Sequence, residues 1–380
     1  MNRNFQIDPR EWEKIEDARA ATNPLFNDNK LKLGLFGMNA GWHIHTTAPE
    51  RYVADWDRCD AIAAEAQRLG LETMLSLVGW GGRRELEPFT WAAGLAARHT
   101  EPALVSTMHV QLNHPVFVAN AATTIDRISG GRFGINIVAG ATPSTFGTFG
   151  LPIEDHETRY AHAEEFMQLL RRLWVETEPF DFEGRFYKVK HACNQPKGVQ
   201  SFPAILNAGT SGRGRQFACE YADAIFTHVH ADPEQAAAQI ADYKSFAWST
   251  FKRRVQVWTH GYIVIRDTRK EAEDFLEYYA SQHANRPAIE AWVKDLGMAA
   301  QSSSDAERWK FERTWAAGGG VNLVGTAEEV ADKLIQLSNA GVDGLLLATI
   351  EPETTLKHLG TGLLPLLEQA GLRRPLTPAL

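Results

Sequence analysis

The chain has 380 residues, 44% of them hydrophobic, enough for one large core with peripheral decoration. Its formal net charge of −8 and the lack of a basic stripe exclude an electrostatic hold on nucleic acid or an anionic membrane surface. Three widely spaced cysteines, Cys59, Cys193 and Cys219, make neither a disulfide framework nor a CxxC zinc site, so a reducing, cytoplasmic setting is expected. No stretch has the apolar core of a signal peptide or the length of a membrane span, so a soluble enzyme acting on small molecules is the expectation.

Residues 1–30 read as an N-terminal arm, with turn residues at Asn23-Pro24 and Asn27-Asp28-Asn29, ahead of one domain over 31–380. Strands and helices then alternate, the pattern of βαβ units and a parallel sheet. Strands are expected at Lys32–Phe36, Glu72–Val78, Ala103–His109, Arg132–Ala139, Ala204–Asn207, Asp223–Thr227, Val255–Ile265 and Asp343–Thr349. Eight such strands predict an α/β chain folded as a (β/α)8 TIM barrel. Helices are expected over Arg51–Leu69, Pro115–Ile128, Thr158–Trp174 and Ala327–Ser338. Pro115 suits a first turn with His114 as cap, Ser129-Gly-Gly131 suits a stop, and Thr326 suits a cap. Two insertions exceed ordinary loop length: 141–157 after the fourth strand and 270–320 before the eighth. Long loops at a barrel mouth usually carry function.

Side chains on a barrel strand alternate between the interior and the helix layer. Placing Ile135 and Ile137 under the helices puts Gly134, Asn136 and Val138 inside. The same reasoning turns Val105, Thr107 and His109 inward on the third strand, and on the second turns Ser76 inward with Leu75 and Leu77 outward. Ser76, Thr107, His109 and Asn136 thus converge near the carboxyl ends of the strands. There a buried polar group needs either a ligand or its neighbours as partners.

The segment Ala208-Gly-Thr-Ser-Gly-Arg-Gly-Arg-Gln-Phe-Ala218 follows a strand and opens a helix. It reads either as a cradle for a mononucleotide phosphate, including Gly209 and Ser211, or as an ordinary glycine-rich turn. Arg159 and Tyr160 supply a cation and a hydroxyl to such a phosphate, or else decorate a solvated helix turn. The pairs His43-x-His45 and His228-x-His230 raise a zinc amidohydrolase barrel as a rival. That rival lacks its carboxylate at the end of the eighth strand and its lysine or histidine on the fourth, so no metal site is expected. Trp42 and Trp80 place indoles above the first two strands, where aromatic walls suit a flat ligand.

The run Thr124-Ile-Asp-Arg-Ile-Ser-Gly-Gly-Arg-Phe-Gly-Ile-Asn-Ile-Val-Ala-Gly140 closely resembles the core signature of the bacterial luciferase-like flavin-dependent monooxygenases. It is most similar to the two-component branch that includes pyrimidine, alkanesulfonate, dimethyl sulfone and dibenzothiophene sulfone monooxygenases. The resemblance is collinear from about Leu31, with Gly41-Trp42, Ala48-Pro49, Glu157 to Tyr160, Phe182-Glu-Gly-Arg-Phe-Tyr187 and Ala208 to Ser211. It implies FMN as cofactor, with Val78 and Gly79 packed on the isoalloxazine beside Ser76, Asn136 near its N5, and Arg159, Tyr160, Gly209 and Ser211 at its phosphate. It also implies an oxygen pocket at Thr107 and Asn136.

By the same resemblance, reduced FMN and O2 oxygenate or cleave an electrophilic substrate through a flavin N5-peroxide. Nitrogen heterocycles, sulfones, haloaromatics and flavins fit that chemistry. His109, His228 and His230 are the expected proton donors, and Trp42, His43, His45, Trp80 and Asn113 the expected substrate contacts. Pyrimidine monooxygenases carry a lysine where Gly79 stands here, and differ at the histidines, so the expected substrate is not uracil. No NAD(P)H fingerprint appears, which implies a separate NAD(P)H:flavin reductase. A homodimer or homotetramer is the expected assembly, with the arm clasping a second subunit. The same fold also serves F420-dependent oxidoreductases, the remaining rival.

Overall fold

The computed structural model describes residues 9–80, 84–140, 142–210, 212–295 and 305–375. Its strands are β1 (Lys32–Phe36), β2 (Thr73–Leu75), β3 (Ala103–His109), β4 (Phe133–Val138), β5 (Phe180–Glu183), β6 (Lys188–Ala192), β7 (Ala204–Asn207), β8 (Ala224–Phe226), β9 (Gln256–Ile265), β10 (Val321–Gly325) and β11 (Gly344–Ala348). Strands β1, β2, β3, β4, β7, β8, β9 and β11 pair in parallel in that order, and β11 pairs with β1, so the sheet closes into an eight-stranded barrel. All eight staves coincide with strands expected from the sequence. β10 was not expected. It pairs with Gly261–Ile265 of β9, while β8 pairs with Gln256–Trp258, so the two share one edge of that long strand in succession. The antiparallel hairpin β5–β6 lies apart from the barrel sheet.

The helices are α1 (Pro9–Ala20), α2 (Trp56–Arg68), α3 (Pro88–Ala96), α4 (Pro115–Ser129), α5 (Pro143–Thr148), α6 (His156–Val175), α7 (Gly212–Tyr221), α8 (Pro233–Phe251), α9 (Arg269–Glu277), α10 (Arg286–Asp295), α11 (Asp305–Ala317) and α12 (Ala327–Asn339). Local sequence explains their ends. Pro115 starts α4, the His114 ring nitrogen accepts from the Val116 N–H at 3.3 Å, and Gly130 stops the helix at φ +67. Asp155 caps α6, and Thr326 with Glu329 forms a capping box on α12.

The core has two layers. Leu33, Leu35, Met74, Leu104, Ile135, Ile137, Leu345 and Leu347 face the helices. Phe36, Leu75, Val105, Leu206, Trp258, Leu346 and Ala348 fill the interior, with Leu77 packed against them. The expected orientation of β2 is therefore corrected: Leu75 and Leu77 point inward. A parallel strand buried on both faces is apolar on both, so its parity cannot be read from hydrophobicity.

At the amino end of the barrel, Leu25 joins the interior cluster and its carbonyl accepts from the Gln256 side chain at 2.8 Å. Arg19 of α1 reaches Asp223 with two bonds of 3.0 and 2.9 Å, and Arg253 adds a third of 2.8 Å. Residues of the arm thus plug that end, leaving the carboxyl ends of the strands as the mouth. The second insertion packs there: α9, α10 and α11 bury Leu276, Ile289 and Ala317 in a cluster with Ile44, Tyr262 and Ile350.

Candidate active site

The register Thr107↔Asn136 sets these two residues side by side on β3 and β4, each 6% exposed. The Thr107 hydroxyl donates to the Ser76 carbonyl, and the Asn136 Nδ2 donates to Thr107 Oγ1 at 3.2 Å. This chain of bonds fixes which way the amide points. The only hydroxyl proton is committed to Ser76, so Thr107 offers Asn136 lone pairs alone, and a flipped amide would set oxygen against oxygen. Asn136 Oδ1 is consequently turned away from Thr107, buried and without a hydrogen-bond partner. Such an acceptor is costly to bury unless something donates to it.

Ser76 is buried, as expected, but its role differs from a ligand contact. Its Oγ donates to the Val105 carbonyl at 3.2 Å and accepts from the Thr107 N–H at 3.0 Å, so it ties β2 to β3. β2 ends at Leu75, earlier than expected, because the following residues bond to side chains. Asn39 accepts from the Leu77 N–H and donates to the Leu77 carbonyl, both at 2.8 Å. Glu85 accepts from the N–H groups of Gly79 (3.1 and 3.0 Å) and Trp80 (2.8 Å) and from the Trp42 indole (2.9 Å). Thr145 of α5 holds the Gly79 carbonyl at 3.0 Å. The Val78–Gly79 wall is therefore braced on both sides, and Trp80 is kept in the left-handed region at φ +53.

Beyond β4, three glycines permit close approaches. A Cβ on Gly140 would fall 2.8 Å from Arg159 Cδ, one on Gly209 2.3 Å from the Gly214 carbonyl, and one on Gly214 2.4 Å from the Tyr160 hydroxyl. Arg159 thus lies on the end of β4, where it donates to the Gly140 carbonyl at 3.0 Å while its Nε is buried and unpaired. Tyr160 lies against the first turn of α7. A guanidinium with a spare donor, a phenol and a helix N-terminus suit a phosphate. Ser211 lies outside the described residues.

The opposite wall is aromatic. The Phe36 ring centroid lies 5.3 Å from His43, 5.1 Å from His260 and 5.6 Å from Phe226, and His228 lies 5.0 Å from His260 and 5.7 Å from Trp315. Burial, with a small contribution from His45, pushes the His43 pKa down to about 3. Burial with His228 and His43 does the same to His260. Both rings are neutral in ordinary buffers.

His260 was missed by sequence reasoning. The signal was its place two residues from Trp258 on β9, which gives it the same inward parity. His109 is buried at the end of β3 with its ring 6.0 Å from Phe146. Asn113 donates to the His109 carbonyl at 2.8 Å. Four other expected site residues stand elsewhere. His230 is exposed, with its N–H on Gln239 at 3.2 Å. Trp42 and His45 pack on Trp292 of α10, lining a separate cavity of about 300 Å³ with Arg51 and Asn285. Trp80 packs on Phe149. Among the described residues no group of three or more His, Cys, Asp or Glu is placed to hold a metal ion, and no helix is long and apolar enough to cross a membrane.

Residues 32–344 match the family model of the luciferase-like monooxygenases. The chain belongs to that family. It is 27% identical to an FMNH2-dependent dimethylsulfone monooxygenase of Pseudomonas putida, over 83% of this chain and 89% of the relative. It is 32% identical to the pyrimidine monooxygenase RutA of Methylorubrum populi, over 90% and 94% respectively. A solved structure of riboflavin lyase with modified FMN and riboflavin superposes with a TM-score of 0.78 at 25% identity, covering 90% of this chain and 92% of the other. The family assignment makes the chain a flavin-dependent monooxygenase and sets the zinc amidohydrolase aside.

Proposed function

We propose that the chain binds reduced FMN at the barrel mouth and inserts one oxygen atom of O2 into a small electrophilic substrate. The observation that carries this reading is the Asn136 amide, whose buried Oδ1 is held as a lone acceptor by the committed hydroxyl of Thr107. Reduced FMN supplies the electrons that activate dioxygen. The protein supplies position and exclusion of water.

Arg159, Tyr160 and the α7 N-terminus hold the phosphate. The Val78–Gly79 wall supports the flat ring system, and Asn136 Oδ1 accepts an N–H that only the reduced ring carries. Thr107 and Asn136 line the place for oxygen. His109, close by on β3, is the candidate proton donor, with His228 at the rim. A nitrogen heterocycle, a sulfone or a flavin is the substrate range the relatives' names support, and a haloaromatic offers the same electrophilic carbon. A separate NAD(P)H:flavin reductase supplies the reduced cofactor, and the working assembly is a homodimer or homotetramer.

Anaerobic titration with reduced FMN and with reduced F420, followed by oxygen consumption with a substrate panel under mass spectrometry, tests this. Tight reduced-FMN binding with oxygenated product is expected. Preference for F420, or hydride exchange without oxygen uptake, would sink the proposal.

A further inference from the structure

The cavity of about 300 Å³ between the loop after β1 and α10 is lined by none of the residues assigned to FMN. Two indoles form its walls, Trp42 and Trp292, with ring centroids 5.7 Å apart and planes inclined at 66°. Ala288 and Ala291, one turn apart on one face of α10, leave room that larger side chains would fill. The two sides are fastened together: the Asn285 N–H donates to the His45 carbonyl at 2.9 Å, and the Thr46 hydroxyl donates to the Tyr279 carbonyl at 2.7 Å. The polar groups offered to the space are donors. Asn285 Oδ1 accepts from the Ala288 N–H at 3.3 Å at the start of α10, so the amide has its NH2 end left to give. Arg51 lines the same cavity and forms no ion pair among the described residues. Among the described residues no carboxylate lines it, although the chain carries 47 acidic residues against 39 basic ones. An unpaired guanidinium is ordinary on a surface. Beside an amide donor, the first turn of a helix and two indoles, it makes a place for an anion carried on a flat ring.

We propose that this cavity is an effector site for a small aromatic carboxylate, and that its occupancy is relayed to the flavin wall through Trp42 and Glu85. The ring packs against the indoles, and the carboxylate accepts from Arg51 and Asn285. An uncharged ring of the same shape keeps the stacking and loses the charge-assisted bond. An aliphatic acid keeps the charge and loses the stacking. The relay is one bond long at each step: the Trp42 indole N–H donates to Glu85 Oε2 at 2.9 Å, and the same carboxylate accepts from the N–H groups of Gly79 and Trp80. An acid packed on Trp42 holds that indole, and with it one of the bonds that fix Glu85 against the Val78–Gly79 wall. A wall ordered in advance costs FMN less to engage, so the two ligands favour each other. The relay rests on the flavin reading of that wall; the site itself does not.

The test uses the full chain, with and without oxidised FMN, and three ligands read by calorimetry: 2-naphthoate, its neutral counterpart 2-naphthamide, and octanoate, an acid without a ring. Naphthoate is expected to bind roughly five- to tenfold tighter than either of the others, the difference a charge-assisted bond makes at an exposed guanidinium. Arg51→Met, at an exposed position where folding is not at risk, should bring naphthoate down to the naphthamide level. Ala288→Leu, which fills the cavity, should abolish the binding of both, and each variant should still bind FMN. Saturating naphthoate should tighten FMN about fivefold, and FMN should tighten naphthoate by the same factor, because coupling is reciprocal. Trp42→Phe, which keeps a ring and lacks the N–H, should retain naphthoate and lose the mutual tightening. Naphthoate no tighter than naphthamide, or unchanged in Arg51→Met and Ala288→Leu proteins that still bind FMN, overturns the site. Equal FMN affinity with and without naphthoate overturns the relay. A chain that fails to bind FMN refutes the flavin reading, whereas Arg51-dependent naphthoate binding in the same sample still supports the site.

Discussion

Replacing Thr107 with valine keeps the side-chain volume and removes one hydroxyl, which isolates the bond chain that orients Asn136. Two buried groups lose a partner: the Ser76 carbonyl, which received the hydroxyl proton, and Asn136 Nδ2, which donated to Oγ1 at 3.2 Å. Each unsatisfied group costs about 1–3 kcal/mol, so a loss of roughly 2–4 kcal/mol in stability is expected after partial relaxation. The functional effect is separate. Valine no longer distinguishes the amide's two ends, so Oδ1 is not held towards the cavity. A neutral hydrogen bond contributes about 0.5–1.5 kcal/mol net, which makes reduced-FMN binding weaker by roughly two- to twelvefold. Oxidised FMN, which lacks the donor, should lose much less. Anaerobic titrations of both redox forms, with product formed per O2 consumed, read the effect. Thr107→Ser preserves the hydroxyl and should behave like the parent. If Thr107→Val binds both redox forms as the parent does and couples oxygen to product equally well, the oriented-amide argument is wrong.

Glu85→Ala removes the acceptor shared by Gly79, Trp80 and Trp42 and the support for the left-handed Trp80. Bonds to charged groups contribute about 1.5–3 kcal/mol, so FMN affinity should fall roughly tenfold or more, with Glu85→Gln recovering part of it in the same titration. Arg159→Ala should weaken FMN by about ten- to a hundredfold and leave riboflavin binding unchanged, because only FMN carries the phosphate. Burial alone would raise the Asp223 carboxyl, but Arg19 and Arg253 outweigh it and hold its pKa below the ordinary 3.8. Its stabilising contribution is therefore complete above that value and lost as pH falls through the lower folded pKa. Asp223→Asn should flatten the acid limb of urea-unfolding stability. Arg19→Ala should cost about 3 kcal/mol, the low end for a broken buried pair, since Arg253 remains.

Much of the fold was legible because the signals are local. Val105 and Thr107 alternate with outward-facing Leu104 and Met108, and Ile135 and Ile137 fix Asn136, so two neighbouring strands each announced their inward faces. The caps at His114 and Thr326 followed from single residues. β2 gave no such signal, because Met74, Leu75 and Leu77 are apolar on both faces. Parity carried over from the neighbouring strands turned Ser76 inward, yet backbone groups of β3 satisfy its hydroxyl.

The sequence by itself determined the staves of the barrel, the pairing of Thr107 with Asn136 and the family, since alternation and motif are properties of short segments. Barrel closure decided the rest. His260 meets Phe36 because β11 joins β9 to β1, bringing together residues more than two hundred positions apart, and no local pattern encodes that distance. The same closure separated His43, which packs on Phe36, from His45, which turns to Trp292 and the insertion. Which histidine joins the aromatic cluster inside the barrel was decided by packing among distant strands rather than by the spacing of the motif.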